Sequence, residues 1–230
     1  AAEATSKFAR ESGRYPLTSV GDVNTYALFA EFVRFSVKED GRVGIILPTG
    51  IATDDTNKHF FADVVNQKNL VSLFDFENRG HLFPALHTKT KFSLLTLSIE
   101  PSPEAQFCFM ATQVLDLRDE KQVFKLSAGD LLLFNPNTRT VPLFRTRVDA
   151  EISRKIYRHT SVLVDQDKGS NPWSVKFGAM FHMSNDSALF MVSLTAKSLP
   201  LYESKMFWHF DHRWATLQGT SEQPSSDEKA

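Results

Sequence analysis

The chain has 230 residues, of which 42% are hydrophobic and 23% are charged, enough to bury one sizeable core or one core with an appended lobe. Its 26 basic and 27 acidic side chains give a formal net charge of -1, so the overall field gives no reason to expect nucleic acid. The one cysteine, Cys108, lies in the apolar run QFCFMA, which excludes an internal disulfide and predicts a buried thiol in a reducing cytoplasm. No stretch approaches the roughly 18 consecutive apolar residues of a membrane span.

The first part of the chain alternates helical and strand patterns. Residues 22–38 predict a helix, because apolar side chains recur at near-helical spacing before a turn signal: Tyr26, Leu28, Phe29, Phe32, Val33 and Val37. The short apolar run 42–47 predicts a parallel strand covered on both faces. A second helix is expected to be capped by Asp54 or Asp55 and to lead into a strand at 70–76.

Alternating helices and strands with short connections predict an open α/β sheet with parallel neighbours. Residues 91–99 and 106–110 predict two further strands. Beyond them the pattern predicts a short helix at 127–134, an extended loop at 135–144, a helix at 149–159 capped by Asp149, and a mixed helical segment at 185–197. From Gly219 onward the small, polar residues predict a mobile tail.

Positive charge is concentrated in residues 139–158. Two acidic residues, Asp149 and Glu151, stand there among six basic ones: Arg139, Arg145, Arg147, Arg154, Lys155 and Arg158. This surplus is sufficient to neutralise several DNA phosphates, and Arg139, Arg145 and Arg147 are the candidates for such contacts. The alternative interpretation is a solvated helix face with pairs such as Glu151 with Lys155.

Several phrases of the sequence follow one another in an informative order: NTYALF, GRVGIILPTG, TNKHFFADVV, LVSLFDFEN and FPALHTKTKFSLLTL. This order resembles the later motifs of DNA adenine-specific methyltransferases, the class I, S-adenosylmethionine-dependent enzymes of large restriction-modification and phage-defence systems. Three later phrases resemble the segment that joins the catalytic and target-recognition domains of those enzymes: NPNTRTVPLFRTRVDAEISRKIYR, NPWSVKFGAMFHMSNDSALF and LPLYESKMFWHFDHRWAT. The resemblance covers roughly residues 14–218 and rests on the collinear series, since each phrase alone is weak.

The resemblance implies the distal half of a Rossmann-like α/β methyltransferase sheet, with parallel strands plus antiparallel end strands, followed by a mixed, mainly helical extension. It implies an N-terminal arm (1–18), the distal half of the catalytic domain (19–111), a bridging segment (112–218) and a flexible tail (219–230). The implied partners are double-stranded DNA and the N-terminal catalytic half and C-terminal target-recognition domain of a parent protein. The start at Ala1 fits an excised piece or a trimmed terminus. A sheet without its first strands has a bare edge, which predicts self-association.

The family resemblance implies that the ring of Phe83, which is followed by Pro84, stacks on the flipped adenine. Turning a base out of the duplex costs a few kcal/mol. Stacking it on an aromatic ring recovers about 1–3 kcal/mol, so one ring is insufficient by itself. Lys89 and Lys91 follow on the same loop and are interpreted as phosphate contacts or, alternatively, as solvated lysines. Because the chain has 20 phenylalanines, composition alone favours a packing role for Phe83.

The cofactor candidates come from two other phrases. Asn24 and Tyr26 resemble the helix start that borders the cofactor and target pockets in the family, although Asn24 is equally placed to cap a helix. Pro48 lies at the carboxyl end of its strand, where open α/β sheets place ligands, although a proline there also ends a strand. The implied cofactor is S-adenosylmethionine, and no metal site is expected, because His209 and His212 lack further ligands at metal spacing.

Two catalytic features of the family are absent from the sequence. The tetrapeptide (Asp/Asn/Ser)-Pro-Pro-(Tyr/Phe), which accepts the hydrogens of the adenine amine, is missing, since the phrases at Asn135 and Asn171 have one proline each. No strand ends in a glycine-rich cofactor turn. We therefore expect weak or no cofactor binding and no methyl transfer by this polypeptide alone. The alternative function is a non-catalytic DNA-binding or assembly module of a larger DNA-modification complex.

Overall fold

The computed structural model describes residues 2–191 together with residues 198, 199, 201, 206 and 208. The chain divides into two compact units, Ala1–Val175 and Lys176–Ala230. The first unit contains every strand and α-helix named below, and the second contains a single-turn 3-10 helix, Ser187–Leu189. Part of the segment predicted to be helical, residues 192–197, and the predicted tail lie outside the described residues.

The first unit is a mixed α/β structure. Its elements in chain order are α1 (Ala2–Glu11), α2 (Thr25–Phe35), β1 (Arg42–Leu47), α3 (Gly50–Thr53), α4 (Lys58–Asn66), β2 (Leu70–Glu77), β3 (Lys91–Ser98), β4 (Glu104–Ala111), β5 (Phe124–Ser127), α5 (Ala128–Phe134) and α6 (Arg147–His159). The four strands predicted from apolar runs are confirmed, each within two residues of its expected bounds. The short strand β5 is not predicted by the sequence pattern.

The five strands form one sheet in the order β1-β3-β2-β4-β5. β3 pairs antiparallel with both β1 and β2, β2 pairs parallel with β4, and β4 pairs antiparallel with β5. Among the described strands, the expected parallel neighbours therefore occur only at β2 and β4. β3 suits an interior position because Phe92 on one of its faces and Leu95 on the other are buried. Since β1 exposes Ile46, it suits the edge, and the prediction of a strand covered on both faces is wrong.

The helices pack on one face of the sheet. One apolar cluster joins residues of α2, α4, α5 and α6 to the sheet, among them Ala30, Phe61, Leu131, Ala150, Leu73, Leu95 and Phe107. The opposite face has a smaller cluster of Phe76, Phe92, Cys108 and Ala111. The prediction that Cys108 is buried is confirmed. The two faces therefore differ, and the smaller cluster lies behind the loop that contains Phe83.

Helix α2 turns an unexpected face toward the core. Its fully buried residues are Ala27, Ala30, Glu31 and Arg34. Phe29, Phe32 and Phe35 are instead exposed by 60%, 56% and 63%. The sequence pattern places Phe29 and Phe32 on the core-facing side of this helix, and that prediction is wrong.

The buried charges of α2 are paired with groups that are distant in sequence. The Glu31 carboxylate accepts hydrogen bonds from the backbone N–H groups of Leu17 and Thr18, at 3.1 and 2.9 Å. The Arg34 guanidinium lies 2.6 Å from the Asp63 carboxylate and donates to the side chain of Asn69 at 2.9 Å. Charged groups can be buried when they are paired in this way, and this is why a polar face packs inward.

Two helix caps differ from the predictions. α4 begins after Asn57, so neither Asp54 nor Asp55 caps it. α6 begins at Arg147, and its cap is the Thr146 hydroxyl, which accepts the N–H of Asp149 at 3.2 Å. The Asp149 carboxylate accepts the N–H of Thr146 in return, which is a capping box. The aspartate is therefore the third residue of the helix and not its cap.

Candidate functional site

The loop between β2 and β3, residues 78–90, carries the predicted base-binding residues and is called the Phe83 loop below. It begins with the 3-10 turn Asn78–Gly80 and continues through His81 in a left-handed conformation, with φ 51°. Phe83, Pro84 and Lys89 are exposed members of this loop, and Lys91 begins β3 directly after it. The structure therefore brings all four predicted residues to one surface loop and its margin.

The Phe83 ring is supported from one side and open to solvent. It meets the Phe92 ring edge to face, with centroids 5.0 Å apart and planes 80° apart. Phe92 in turn stacks on Phe76 with a centroid distance of 5.4 Å. The Phe83 residue remains 38% exposed. A ring that is held against a buried aromatic pair and still reaches solvent is a suitable platform for stacking a base.

Of the two predicted lysines, Lys89 lies within the loop, and Lys91 is paired in register with Glu77 at the start of β3. Lys89 and Lys91 are both exposed, and neither ammonium group has an ion-pair partner within the part of the chain that the structure describes. By contrast, Arg79 in the same loop lies 3.0 Å from the Glu77 carboxylate. The positive charges without an ion-pair partner among the described residues therefore lie at the C-terminal side of the loop, at Lys89 and Lys91.

Asn78 is a residue of this loop that the sequence analysis missed. Its side chain is fully buried, and its amide nitrogen donates to the carbonyl oxygens of Phe83 at 2.9 Å and Leu86 at 3.0 Å. Its side-chain oxygen accepts the N–H of Phe83 at 2.9 Å. An asparagine that ends a strand is an ordinary turn signal, so only its burial and its contacts distinguish it.

The basic segment is partly neutralised by ion pairs. Arg139 lies 3.6 Å from Asp167, and Arg147 lies 3.6 Å from Glu151. The predicted pair of Glu151 with Lys155 is replaced by this pair one turn earlier in the helix. The exposed Arg145 has no ion-pair partner among the described residues. Arg139, Arg145 and Arg147 lie on the loop after α5 and at the start of α6, and not on the Phe83 loop.

The cofactor candidates lie near the carboxyl end of β1. Asn24 occupies the N-cap position of α2, but its side chain makes no capping bond and donates instead to the Asp22 carbonyl at 3.4 Å. The Tyr26 hydroxyl accepts from the Asn57 amide at 3.0 Å, and that amide also donates to the Gly50 carbonyl at 3.0 Å. Asn57 therefore links the start of α2 to the turn that follows Pro48.

These residues do not by themselves fit S-adenosylmethionine. Asp75 of β2, a carboxylate at this edge of the sheet, is 1% exposed and is already engaged. It accepts hydrogen bonds from the Thr49 hydroxyl and from the backbone N–H of Met110. Met110 has φ 60° at an irregularity in the pairing of β2 and β4, so Asp75 ties together the ends of three strands. Its role is therefore structural, and Asp75 itself is not available to a ribose.

Two groups near the smaller apolar cluster have shifted pKa values. Burial, together with the charges of Asp116 and Asp75, raises the pKa of the Cys108 thiol to about 11, so the thiol is neutral at physiological pH. Partial burial opposes ionisation of Asp116, but hydrogen bonds from Thr112 and Gln113 outweigh it and lower the pKa of that carboxyl. Neither group has the properties of a nucleophile or base at neutral pH.

A groove of about 620 Å³ lies between β5, α6 and the turn that follows β4. Its walls carry four basic and four acidic side chains, including Arg147 and Glu151. Because these charges balance, the groove does not favour a polyanion. It lies apart from the Phe83 loop, since no residue of that loop lines it.

The described residues contain neither a metal-binding cluster nor a membrane-spanning helix. Within residues 2–191 and the few described beyond them, no cluster of three or more His, Cys, Asp or Glu side chains is arranged to hold a metal ion. His209 and His212 lie outside the described residues. In the same part of the chain, no helix has the length and apolar character needed to cross a bilayer.

Comparison with known proteins gives partial structural similarities only. No family model and no curated protein matches the chain. The structure is similar to a type I restriction-modification methyltransferase subunit from Streptococcus thermophilus, with 14% identity and a TM-score of 0.43 over 61% of this chain and 35% of that subunit. It is also similar to the type IIG restriction endonuclease BpuSI, with 16% identity and a TM-score of 0.40 over 69% of this chain and 19% of that enzyme. The chain thus spans a minor part of each, and these similarities do not carry a functional assignment.

Proposed function

We propose that this chain is the distal half of the catalytic domain of an adenine-specific DNA methyltransferase, together with its bridge toward target recognition. The parent enzyme uses S-adenosylmethionine and belongs to a restriction-modification or phage-defence system in the cytoplasm. The observation that carries the proposal is the Phe83 loop. It offers a half-open aromatic ring, held by Phe92 and Phe76, on a loop that carries the exposed Lys89 and is followed directly by the exposed Lys91.

The proposed role of the loop is to hold an adenine after it leaves the duplex. Extrusion of the base costs a few kcal/mol, and one aromatic stack returns about 1–3 kcal/mol. A second contact surface is therefore needed, and in the proposal it belongs to the catalytic half of the parent. Lys89 and Lys91 add attraction for the neighbouring phosphates. Because the tetrapeptide and the cofactor turn are absent, this chain alone is expected to have no turnover.

The open side of the sheet supports the proposal that a further half packs there. β1 is an edge strand of the described sheet, so one side of its backbone has no neighbouring strand among the residues that the structure describes. Ile46 of β1 is 56% exposed and is paired in register with Leu94, which in turn is paired with Phe74. This apolar row on one face, and the exposed phenylalanines of α2, are surfaces that soluble domains normally cover.

A second candidate function is a non-catalytic DNA-binding or assembly module. One observation favours it: Arg145, Lys155 and Arg158 are exposed near α6, and none has an ion-pair partner among the described residues. Such a module binds the backbone of duplex DNA without holding a base. The two candidates therefore differ in whether a base contacts Phe83.

Photolabelling tests this difference directly. A single-stranded oligonucleotide that carries one 8-azidoadenine avoids the cost of base extrusion and labels the residues next to the base. The expected result is a cross-link within residues 78–90 at low salt, with a large decrease in the Phe83→Ala variant. Phe32→Ala is the matched control, because that ring is 56% exposed and is more accessible than Phe83. Labelling that maps to α6, or that is unchanged in Phe83→Ala, contradicts the proposal.

A further inference from the structure

We propose that Asn78 is a positioning residue that fixes the Phe83 loop in the conformation that receives the base. This inference rests on the proposed function, because it concerns how the same ring is presented. Asn78 is fully buried, so it acts on the base only through the loop. Its predicted effect is on the placement and mobility of Phe83 and not on the charge of the site.

The side-chain amide of Asn78 supplies hydrogen bonds to the backbone of this loop, which has no regular secondary structure between Gly80 and Lys91. Its nitrogen donates to Phe83, Leu86 and His87 carbonyl oxygens at 2.9, 3.0 and 3.4 Å, and its oxygen accepts the N–H of Phe83. The backbone N–H of Asn78 donates to the Thr90 carbonyl at 2.9 Å, which closes the base of the loop. The side chain of Asn78 thus contacts the middle of the loop, and its backbone N–H contacts the end.

This role requires an amide. The side chain must donate to carbonyl oxygens on one side and accept a backbone N–H on the other, and only asparagine combines the two at this length. An aspartate has the same shape but places a second acceptor against several carbonyl oxygens in a buried position. Asn78→Asp is therefore expected to disturb the loop at least as strongly as Asn78→Ala.

A second contact, made by Gly80 with a residue outside the loop, also restrains its conformation. Gly80 packs against the Thr112 carbonyl oxygen so closely that a Cβ atom at this position would collide with it. The loop is therefore held from within by Asn78 and from the residue after β4 by the contact at Gly80. The open Phe83 ring lies three residues beyond this second contact, so disturbing either contact is expected to move it.

The chain contains a matched control in Asn69. Asn69 is also buried, precedes the same strand β2 that Asn78 follows, and has a similar set of contacts. Its amide donates to the Gln67 and Ile99 carbonyls, and its oxygen accepts from Arg34. Asn69→Ala therefore removes comparable hydrogen bonds at the opposite end of the strand, without touching the Phe83 loop.

The test combines amide exchange with photolabelling of the folded chain by the 8-azidoadenine oligonucleotide. In Asn78→Ala, exchange at the Phe83 and Leu86 amides is expected to accelerate at least tenfold, and binding of the oligonucleotide is expected to weaken by about 5- to 150-fold, the range of one base–aromatic stack. Asn69→Ala is expected to leave both measurements within about twofold of the wild type at equal folded fraction. If Asn78→Ala does not fold, Gly80→Ala disturbs the loop at the second contact and is measured in the same way.

The outcomes separate this inference from the proposed function. Normal labelling in a folded Asn78→Ala or Gly80→Ala variant overturns the positioning role, provided that Phe83→Ala abolishes labelling. Equal losses in Asn78→Ala and Asn69→Ala also overturn it, because they indicate a general effect of stability. Unchanged labelling in Phe83→Ala refutes the proposed function itself, and the positioning role with it.

Discussion

Replacing Phe83 tests whether its ring serves packing or base stacking, because the two roles have different costs. Truncating a fully buried phenylalanine to alanine costs about 3–5 kcal/mol. Phe83 is 38% exposed, so Phe83→Ala is expected to lower the free energy of unfolding by about 2 kcal/mol. Loss of a base stack of about 1–3 kcal/mol raises the dissociation constant of a single-stranded adenine oligonucleotide by about 5- to 150-fold.

A leucine at position 83 separates these contributions. Phe83→Leu keeps most of the apolar contact with Phe92 and removes the aromatic face, so its stability is expected to stay within about 1.5 kcal/mol of the wild type. Its affinity for the oligonucleotide is expected to fall as far as that of Phe83→Ala. Urea unfolding measures the first quantity, and fluorescence anisotropy at low salt measures the second. In the parent enzyme, Phe83→Ala is expected to reduce methylation more than DNA association.

A base-stacking role for Phe83 is refuted if Phe83→Leu binds the oligonucleotide as tightly as the wild type. In that case the ring only packs against Phe92, and any loss in Phe83→Ala follows from its unfolded fraction. Equal losses of methylation and DNA association in the parent lead to the same conclusion. These outcomes place Phe83 among the structural phenylalanines of the smaller apolar cluster.

Three further predictions concern charge, assembly and pH. Replacing Arg145 and Arg147 together with alanine is expected to reduce the salt slope of duplex binding by about 1, since Arg147 is already paired; an unchanged slope indicates a solvated face. Ile46→Lys at the sheet edge is expected to reduce self-association in sedimentation velocity, and oligomers of unchanged size argue against edge pairing. The lowered pKa of Asp116 stabilises the fold above its unfolded value of about 4, and this contribution is lost as pH falls through the folded value. In Asp116→Asn, the free energy of unfolding should therefore decrease less steeply as the pH falls below about 4. An unchanged pH dependence contradicts this prediction.

The strands were predictable because their signals are local. The apolar runs at β1, β2, β3 and β4 have the length and composition of strands, and short windows suffice to find them. Their order in the sheet depends on burial of both faces, which no single run displays. The antiparallel position of β3 between β1 and β2 therefore differs from the simple expectation of parallel neighbours. The four residues of β5 are too few for a periodic signal.

The inward face of α2 was not predictable, because its partners are distant in the sequence. Glu31 and Arg34 are buried through contacts with residues 17, 18, 63 and 69, and a helical wheel alone assigns them to solvent. At the candidate site, Phe83 was identified through a resemblance of ordered motifs. Asn78 was missed because its importance lies in a hydrogen-bond network, and one sequence shows only an asparagine after a strand.

The state of Cys108 makes this chain convenient for spectroscopy. A maleimide reacts with a thiolate, and the single native thiol is buried with a pKa of about 11, so it is expected to remain unlabelled under native conditions. A cysteine introduced at the exposed position of Lys89 would then be the one reactive thiol of the protein. A fluorophore attached there would report nucleic-acid binding at the Phe83 loop without first removing a native cysteine.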